Sequence, residues 1–204
     1  RNVEGLLDIM DDVVTRCHDP VTHERLQAWH AALFPTGYSG MRRIRVGGYR
    51  EHGEPMQIVS GRVGREKVHY EVPPSARVHG EMDRLLQWFN AGTEPDTLVR
   101  AAMAHLWFET IHPFEDGNGR IARALADLAL ARADGTKDRF YSMSAQIEAE
   151  RKRYYSELEA AQHGDLDVTR WLSWFLSCLR RAVDGAEGTL GAVLRKAALW
   201  RRID

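Results

Sequence analysis

The strongest constraint on the fold is a break between two apolar helical patterns in the second half of the chain. The first pattern, over residues 95–112, ends where Pro113 disfavours helical geometry in the residue before it. The second, over residues 118–133, begins with Ile121, Leu125 and Leu128 at helical spacing. These residues predict a helix, a short glycine-rich loop and a second helix.

The loop between the two patterns has the composition of an anion-binding site. Gly117 and Gly119 allow backbone N–H groups to converge, and the N-terminus of the second helix adds its positive end. Arg120 and Arg123 fall in the first turn of that helix, where the helix dipole disfavours cations unless an anion is bound nearby. Phosphate is the expected ligand.

Two side chains at this loop add chemistry to the phosphate site. Asp116 offers the hard oxygen that Mg²⁺ uses together with substrate phosphates and water. His112 can accept a proton near neutral pH. Each feature alone has a simpler interpretation, a capping histidine or an ordinary turn, but together they favour phosphate-transfer chemistry centred on His112.

Amphipathic patterns cover most of the remaining chain. Helices are predicted around residues 6–14, 26–33, 76–91, 95–112, 118–133, 144–163, 167–184 and 188–201. Between the second and third helices, a stretch rich in glycine and proline contains β-type runs at 56–60 and 67–72, separated by a turn at 61–66. The predicted fold class is mainly α with one β-hairpin.

Charge and hydropathy exclude several kinds of protein. The net charge of −1 lacks the basic field of a nucleic-acid binder, and a solvated strand edge explains the local cluster of Arg42, Arg43 and Arg45. No apolar run approaches the roughly 18 residues of a membrane span. Cys17 and Cys178 lie in apolar patterns that favour free thiols and therefore a reducing compartment. The expected location is the cytoplasm of a bacterium.

The loop segment also resembles a known family. It matches the Fic signature, His-x-Phe-x-(Asp/Glu)-Gly-Asn-Gly-(Arg/Lys)-x-x-Arg, at every position from His112 to Arg123. The resemblance extends from about Pro55 to about Leu179. It implies a Fic-like helical bundle with a β-hairpin flap over the active site, and a catalytic domain at 19–185 that includes the flap at 55–72.

The resemblance implies a protein adenylyltransferase, which moves AMP from ATP to a hydroxyl of a target protein and releases pyrophosphate. His112 would deprotonate that hydroxyl and Asp116 would hold Mg²⁺. The remaining motif residues would bind the phosphates of ATP: Gly117, Asn118 and Gly119 those at α and β, Arg120 as further support, and Arg123 the one at γ. A phosphotransferring branch has Lys in place of Gly119, so Gly119 favours attack at the α-phosphate.

Two supporting segments also resemble parts of the family. Tyr155 and Gln162, seven residues apart on one helix face, would line the adenine pocket, although relatives often have Asn at the second position. The flap residues Ile58, Val59 and Ser60 would pair with a segment of an unidentified target protein as an added strand. Simple core packing is the alternative for both segments.

The start of the chain resembles an inhibitory motif. Residues 1–5 match the end of (Ser/Thr)-x-x-x-Glu-(Gly/Asn), with Glu4 as its glutamate, so residues 1–18 would form an inhibitory helix. Glu4 would then pair with Arg123 and occupy the γ-phosphate position. Two alternatives stay open: removal of AMP from protein with the help of Glu4, and a non-catalytic nucleotide-binding regulatory module.

The end of the chain leaves its own alternatives open. Residues 186–204 are predicted to form a basic helix without a capping turn, as in a fragment leading to a further domain or in the frayed end of a complete chain. Because the chain starts at Arg1 rather than Met, a segment before it is also possible. Apolar side chains on the terminal helices are compatible with a homodimer.

Overall fold

The computed structural model describes residues 3–51, 56–60, 67–92, 96–134 and 141–200. Within these ranges the elements are α1 (Val3–Thr15), α2 (His23–Leu33), β1 (Tyr38–Ser39), β2 (Arg42–Arg43), β3 (Gln57–Ser60), β4 (Lys67–Glu71), α3 (Ser75–Ala91), α4 (Thr97–Ile111), α5 (Asn118–Asp134), α6 (Met143–Ala149), α7 (Arg151–Gln162) and α8 (Thr169–Trp200). The mainly α fold class is confirmed.

The centre of the bundle is the pair formed by α4 and α5. Phe108 on α4 and Ile121, Leu125 and Leu128 on α5 are completely buried between them and their neighbours. One side of the pair is covered by α8, whose Trp171 donates its indole N–H to the carbonyl of Ala102 over 2.9 Å. The predicted helix–loop–helix therefore forms the core and holds its loop at one end of the bundle.

Helices α1 and α2 pack together on the opposite side of α5. Asp12 on α1 accepts hydrogen bonds from Arg25 and from the Trp29 indole of α2, both over 2.8 Å. At the far end of α5, Arg132 donates to the carbonyl of Cys17 over 2.6 Å. This last contact joins the turn after α1 to the last turn of α5.

The predicted β-hairpin is confirmed as the antiparallel pair β3 and β4. Ile58 is opposite Tyr70 and Val59 opposite Val68, with an irregularity in register between Ile58 and Val59. The turn predicted at 61–66 lies outside the described residues. A second hairpin, of β1 and β2, was not predicted, and it carries two arginines of the basic cluster.

Two helix boundaries differ from the sequence prediction. The helix predicted at 144–163 is interrupted at Glu150, whose carboxylate accepts two hydrogen bonds of 2.6 Å from Arg181 on α8. The helices predicted at 167–184 and 188–201 form one helix, α8. Gly185 and Gly188 do not end it, because a glycine weakens a helix by only about 1 kcal/mol relative to alanine.

Both cysteines are free, with Cys178 buried and Cys17 partly buried. Among the described helices, none is long and apolar enough to cross a membrane.

Candidate active site

His112 lies where α4 ends and the loop begins. Its backbone has the left-handed values φ 51° and ψ 60°, which are uncommon for a residue other than glycine, and its N–H donates to the carbonyl of Phe108 over 2.9 Å. Pro113 excludes a further helical turn. The side chain is mostly buried, with 16% of its surface exposed.

Arg50 holds this strained junction from the other side. Its guanidinium donates to the carbonyls of Ile111 (3.2 Å), His112 (2.8 Å) and Pro73 (2.5 Å), and its own N–H donates to the carbonyl of Pro113 (2.9 Å). Arg50 is only 2% exposed. It therefore satisfies carbonyls that the end of α4 leaves without helical partners, and it joins the base of the β3–β4 hairpin to His112.

Arg50 was not predicted as a residue of this site. It lies 62 positions before His112, and the stretch around it carries no periodic pattern. No signal short of the fold identifies it.

The loop after His112 closes through its own side chains. Gly117 has φ +84°, and a Cβ there would lie 2.8 Å from the Phe34 ring, so only glycine fits. The Asn118 side chain accepts from the N–H of Phe114 (2.9 Å) and donates to its carbonyl (2.8 Å). The predicted phosphate contact of Asn118 is therefore left to its backbone N–H at the start of α5.

Asp116 lies at the rim of the loop. One carboxylate oxygen accepts from the N–H of Gly117 (2.5 Å) and the other from the hydroxyl of Ser39 on β1. One partly buried carboxylate beside a hydroxyl fits Mg²⁺, which takes most of its ligands from substrate phosphates and water. Ser39 was not predicted, since 77 positions separate it from Asp116.

His30 supports the loop from below. It is buried, stacks on Phe114 at 4.2 Å, accepts from the N–H of Gly47 (3.1 Å) and donates to the carbonyl of Asp116 (3.2 Å). Burial lowers the pKa of His30 to about 4. The ring is therefore neutral, which both hydrogen bonds require.

Acid is expected to destabilise the fold through His30. Its pKa falls from about 6.5 to about 4 on folding, so unfolding takes up a proton between these values. Neutral His30 therefore contributes about 3 kcal/mol to the free energy of unfolding above pH 6.5, and this contribution is lost as the pH falls toward 4. Urea unfolding at several pH values gives the number of protons taken up on unfolding. Near pH 5 this number should be about one lower for His30→Gln than for the parent chain. An unchanged proton uptake would refute this assignment.

Arg120 and Arg123 project from the first turns of α5 beside the loop. The guanidinium of Arg120 lies 4.7 Å from the centre of the Phe34 ring. A Cβ placed on Gly119 would lie 3.3 Å from Arg123 Nη1 and 3.1 Å from Glu109 Oε1, so these three residues meet at one point. In the described part of the chain, no carboxylate lies within ion-pair distance of Arg123.

Glu109 is a buried carboxylate behind His112. One oxygen accepts a hydrogen bond from the Tyr154 hydroxyl (3.1 Å), and the other lies 3.6 Å from His112 Nδ1. Burial alone would raise the pKa of Glu109, but its interaction with His112 and the positive charge of Arg123 hold the pKa below its usual value. The group is thus ionised. Glu109 was not predicted as a residue of this site, although the spacing of three residues places it on the His112 face of α4.

The two residues predicted to contact adenine lie on α7. Tyr155 is 47% exposed, and its ring meets Tyr154 edge to face at 5.0 Å. The side-chain nitrogen of Gln162 is buried without a hydrogen-bond partner in the structure. The β3–β4 hairpin packs on the same helix, with His69 in contact with Glu159 at 2.8 Å.

The flap is described in part. Ile58 is partly buried, whereas the side chains of Val59 and Ser60 lie outside the described residues. The N–H of Val72 donates to the carbonyl of Met56 over 3.1 Å, which closes the base of the hairpin. Through Arg50 and Pro73, this base is fixed next to His112.

The predicted ion pair between Glu4 and Arg123 is not formed. Glu4 is exposed in the first turn of α1, and residues 1–2 lie outside the described part of the chain.

The fold and the loop define a helical domain with a glycine-containing helix–loop–helix built around a histidine. Residues 20–130 match the model of the Fic/DOC family, which is more than half of the chain. The chain belongs to the Fic/DOC family.

Curated relatives agree with this assignment. The chain is 30% identical to the protein adenylyltransferase Fic of Nematostella vectensis over 137 residues, which cover 65% of this chain and 30% of that protein. It is 36% identical to the protein of the same name from Aedes aegypti over 139 residues, which cover 65% and 26%. The matched region thus spans less than a third of these relatives.

Solved structures share the fold. A Fic family protein from Desulfovibrio desulfuricans G20 superposes with a TM-score of 0.70 at 27% identity, covering 90% of this chain and 53% of that one. IbpAFic2, in a structure where it is covalently tethered to Cdc42, superposes with a TM-score of 0.60 at 17% identity, covering 87% and 54%. The second likeness concerns the fold alone.

Proposed function

We propose that this chain transfers AMP from ATP to a hydroxyl side chain of a target protein. The observation that carries the proposal is the convergence of His112, the loop of Gly117 and Gly119, and two arginines at the start of α5. The adenylyltransferase names of the curated relatives support the same reaction. Incubation of the Glu4→Gly variant with isotope-labelled ATP and a cell extract tests it, and an absence of protein-bound AMP would contradict it.

In the proposed reaction, His112 is the general base. Its Nε2 takes the proton of the target hydroxyl as the hydroxyl oxygen bonds to the α-phosphorus of ATP. The bond from the α-phosphorus to the bridging oxygen breaks, and pyrophosphate leaves. The loop N–H groups and the N-terminus of α5 bind the phosphates, while Arg120 and Arg123 balance their charge.

Asp116 is the residue that would hold Mg²⁺. When bound, the ion neutralises charge on the phosphates and on the departing pyrophosphate. Ser39, hydrogen-bonded to the same carboxylate, fixes its orientation.

The adenine would lie against α7. The buried side-chain nitrogen of Gln162 is a donor for a ring nitrogen of the base, and the exposed face of Tyr155 offers a stacking surface. Both residues lie on α7, the helix that contacts the β3–β4 hairpin. This placement supports a nucleotide that lies between α7 and the loop.

The partner would be a protein segment that carries the hydroxyl. The β3–β4 hairpin is suited to pair with an extended segment through its backbone, and its base is tied to His112 by Arg50. IbpAFic2 has been trapped with the protein Cdc42, which supports a protein as the class of target here.

Glu4 is proposed to restrain the activity. Glu4 lies in the first turn of α1, a helix that packs against α5, and a carboxylate brought to Arg123 would compete with the γ-phosphate. Glu4→Gly is expected to raise auto-modification by labelled ATP about tenfold or more. Asp8→Gly, also exposed on α1, is the matched control for loss of helix stability and should not raise it. Equal labelling of parent and Glu4→Gly would refute the restraint.

A further inference from the structure

A chain of buried polar side chains leads away from the proposed base. Glu109, His105 and Tyr154 are 5%, 0% and 3% exposed. The Tyr154 hydroxyl donates to Glu109, and because its proton is committed there, it accepts from His105 Nε2–H over 3.1 Å. Burial lowers the pKa of His105 to about 4, so this ring is neutral.

His112 lies next to Glu109, at the active-site end of this series of buried side chains. Its Nδ1 is buried, and the Glu109 carboxylate is 3.6 Å away. That separation exceeds a hydrogen bond, but catalytic hydrogen bonds without substrate are often long and shorten in the reacting complex. The charged or titratable groups that face Glu109 are His105, His112, Tyr154 and Arg123.

We propose that Glu109 is the positioning residue for His112. Its carboxylate accepts the Nδ1–H of His112, which leaves Nε2 free to take the hydroxyl proton and stabilises the imidazolium that results. Tyr154 and His105 hold Glu109 in this orientation. The proposal rests on the proposed function for its catalytic consequence, but not for its structural one.

The structural consequence is tested by nitrogen NMR of isotope-labelled histidine. In the parent chain, neutral His112 should carry its proton on Nδ1, and Glu109→Gln should move part of that proton population to Nε2. Glu157→Gln is the matched control, because Glu157 is also a buried glutamate but pairs with Arg170. Identical ring-nitrogen shifts of His112 in the parent and in Glu109→Gln overturn the proposal, whatever reaction the chain catalyses.

The catalytic consequence is tested in the Glu4→Gly background. Glu109→Gln should lower kcat about tenfold or more, leave KM for ATP nearly unchanged, and move the acidic limb of the pH–rate profile to lower pH. Tyr154→Phe should have a smaller effect in the same direction. If Glu109→Gln keeps the full rate and the acidic limb of its pH–rate profile does not move, the role of Glu109 is overturned. If Glu4→Gly itself transfers no AMP, the proposed function is refuted instead.

A second inference concerns a cluster on the outside of the bundle. His23 at the start of α2 and His79 and Asp83 on α3 offer ligand atoms that all lie within 4.8 Å of one another. His23 Nε2 is 2.8 Å from Asp83, and His23 Nδ1 is hydrogen-bonded to the buried Tyr49 hydroxyl over 2.8 Å. A ring held on its second nitrogen is typical of a metal-ligating histidine.

We infer that these three residues bind a divalent transition metal of the Zn²⁺ class, with water as the fourth ligand. The ion would join α2 to α3 and fix Tyr49, whose ring contacts Phe114 of the active-site loop at 5.2 Å. The site would therefore stabilise the fold near the loop without taking part in the reaction.

Calorimetric titration and thermal unfolding with Zn²⁺ test this site. Saturating Zn²⁺ should raise the Tm of the parent chain by about 5 °C or more. His79→Ala should lose the shift without unfolding, since that side chain is 70% exposed, and the exposed His163→Ala should keep it. An equal shift in His79→Ala, or no binding by the parent, overturns the inference.

Discussion

Replacement of His112 by alanine is expected to lower the rate of AMP transfer by about 10²–10⁴-fold. Removal of a positioned general base has this size of effect. His30 is nearby, but both its ring nitrogens are engaged in holding the loop. ATP binding should change little, because the phosphates are bound by the loop and α5.

The fold should tolerate this replacement. The bonds that hold the end of α4 come from Arg50 to backbone carbonyls, which alanine retains. His163→Ala, an exposed histidine at the end of α7, is the control and should keep the full rate. Measurement of labelled AMP on protein by both variants decides the matter, and activity that survives His112→Ala refutes the assigned base.

Replacement of Arg50 by methionine is expected to reduce the free energy of unfolding by about 3 kcal/mol or more. The substitution keeps most of the apolar volume but leaves the carbonyls of Pro73, Ile111 and His112 without their donor. AMP transfer should fall as well, because the left-handed backbone at His112 loses the contacts that hold it.

Urea unfolding measures this effect. Arg43→Met is the matched control, since Arg43 is exposed on β2 and its loss should change stability by less than about 0.5 kcal/mol. If Arg50→Met were as stable as the control, the proposed support of the junction by Arg50 would be wrong.

These two residues also show how far sequence reasoning reaches. His112 was identifiable because its neighbours are local: a proline, two glycines and two arginines within twelve positions follow rules of helix ends and anion binding. Arg50 and Ser39 meet the same loop from 62 and 77 positions away, where no local rule applies.

The helix boundaries follow the same distinction. Most helices were predicted within a few residues from apolar periodicity, but the break at Glu150 depends on Arg181 in a distant helix. Two helices were predicted over 167–184 and 188–201, whereas the structure has the single helix α8, because the glycines between the two patterns do not stop a long helix. Asn118 was assigned to the phosphates, whereas its side chain closes the loop.

The most direct test of the proposed reaction compares ATP labelled at the α-phosphate with ATP labelled at the γ-phosphate. The Glu4→Gly variant should transfer the α-label to a hydroxyl side chain of protein, transfer none of the γ-label, and lose the α-label when His112→Ala is added. Protein that carries the γ-label, or no label from either form, would contradict AMP transfer by this chain.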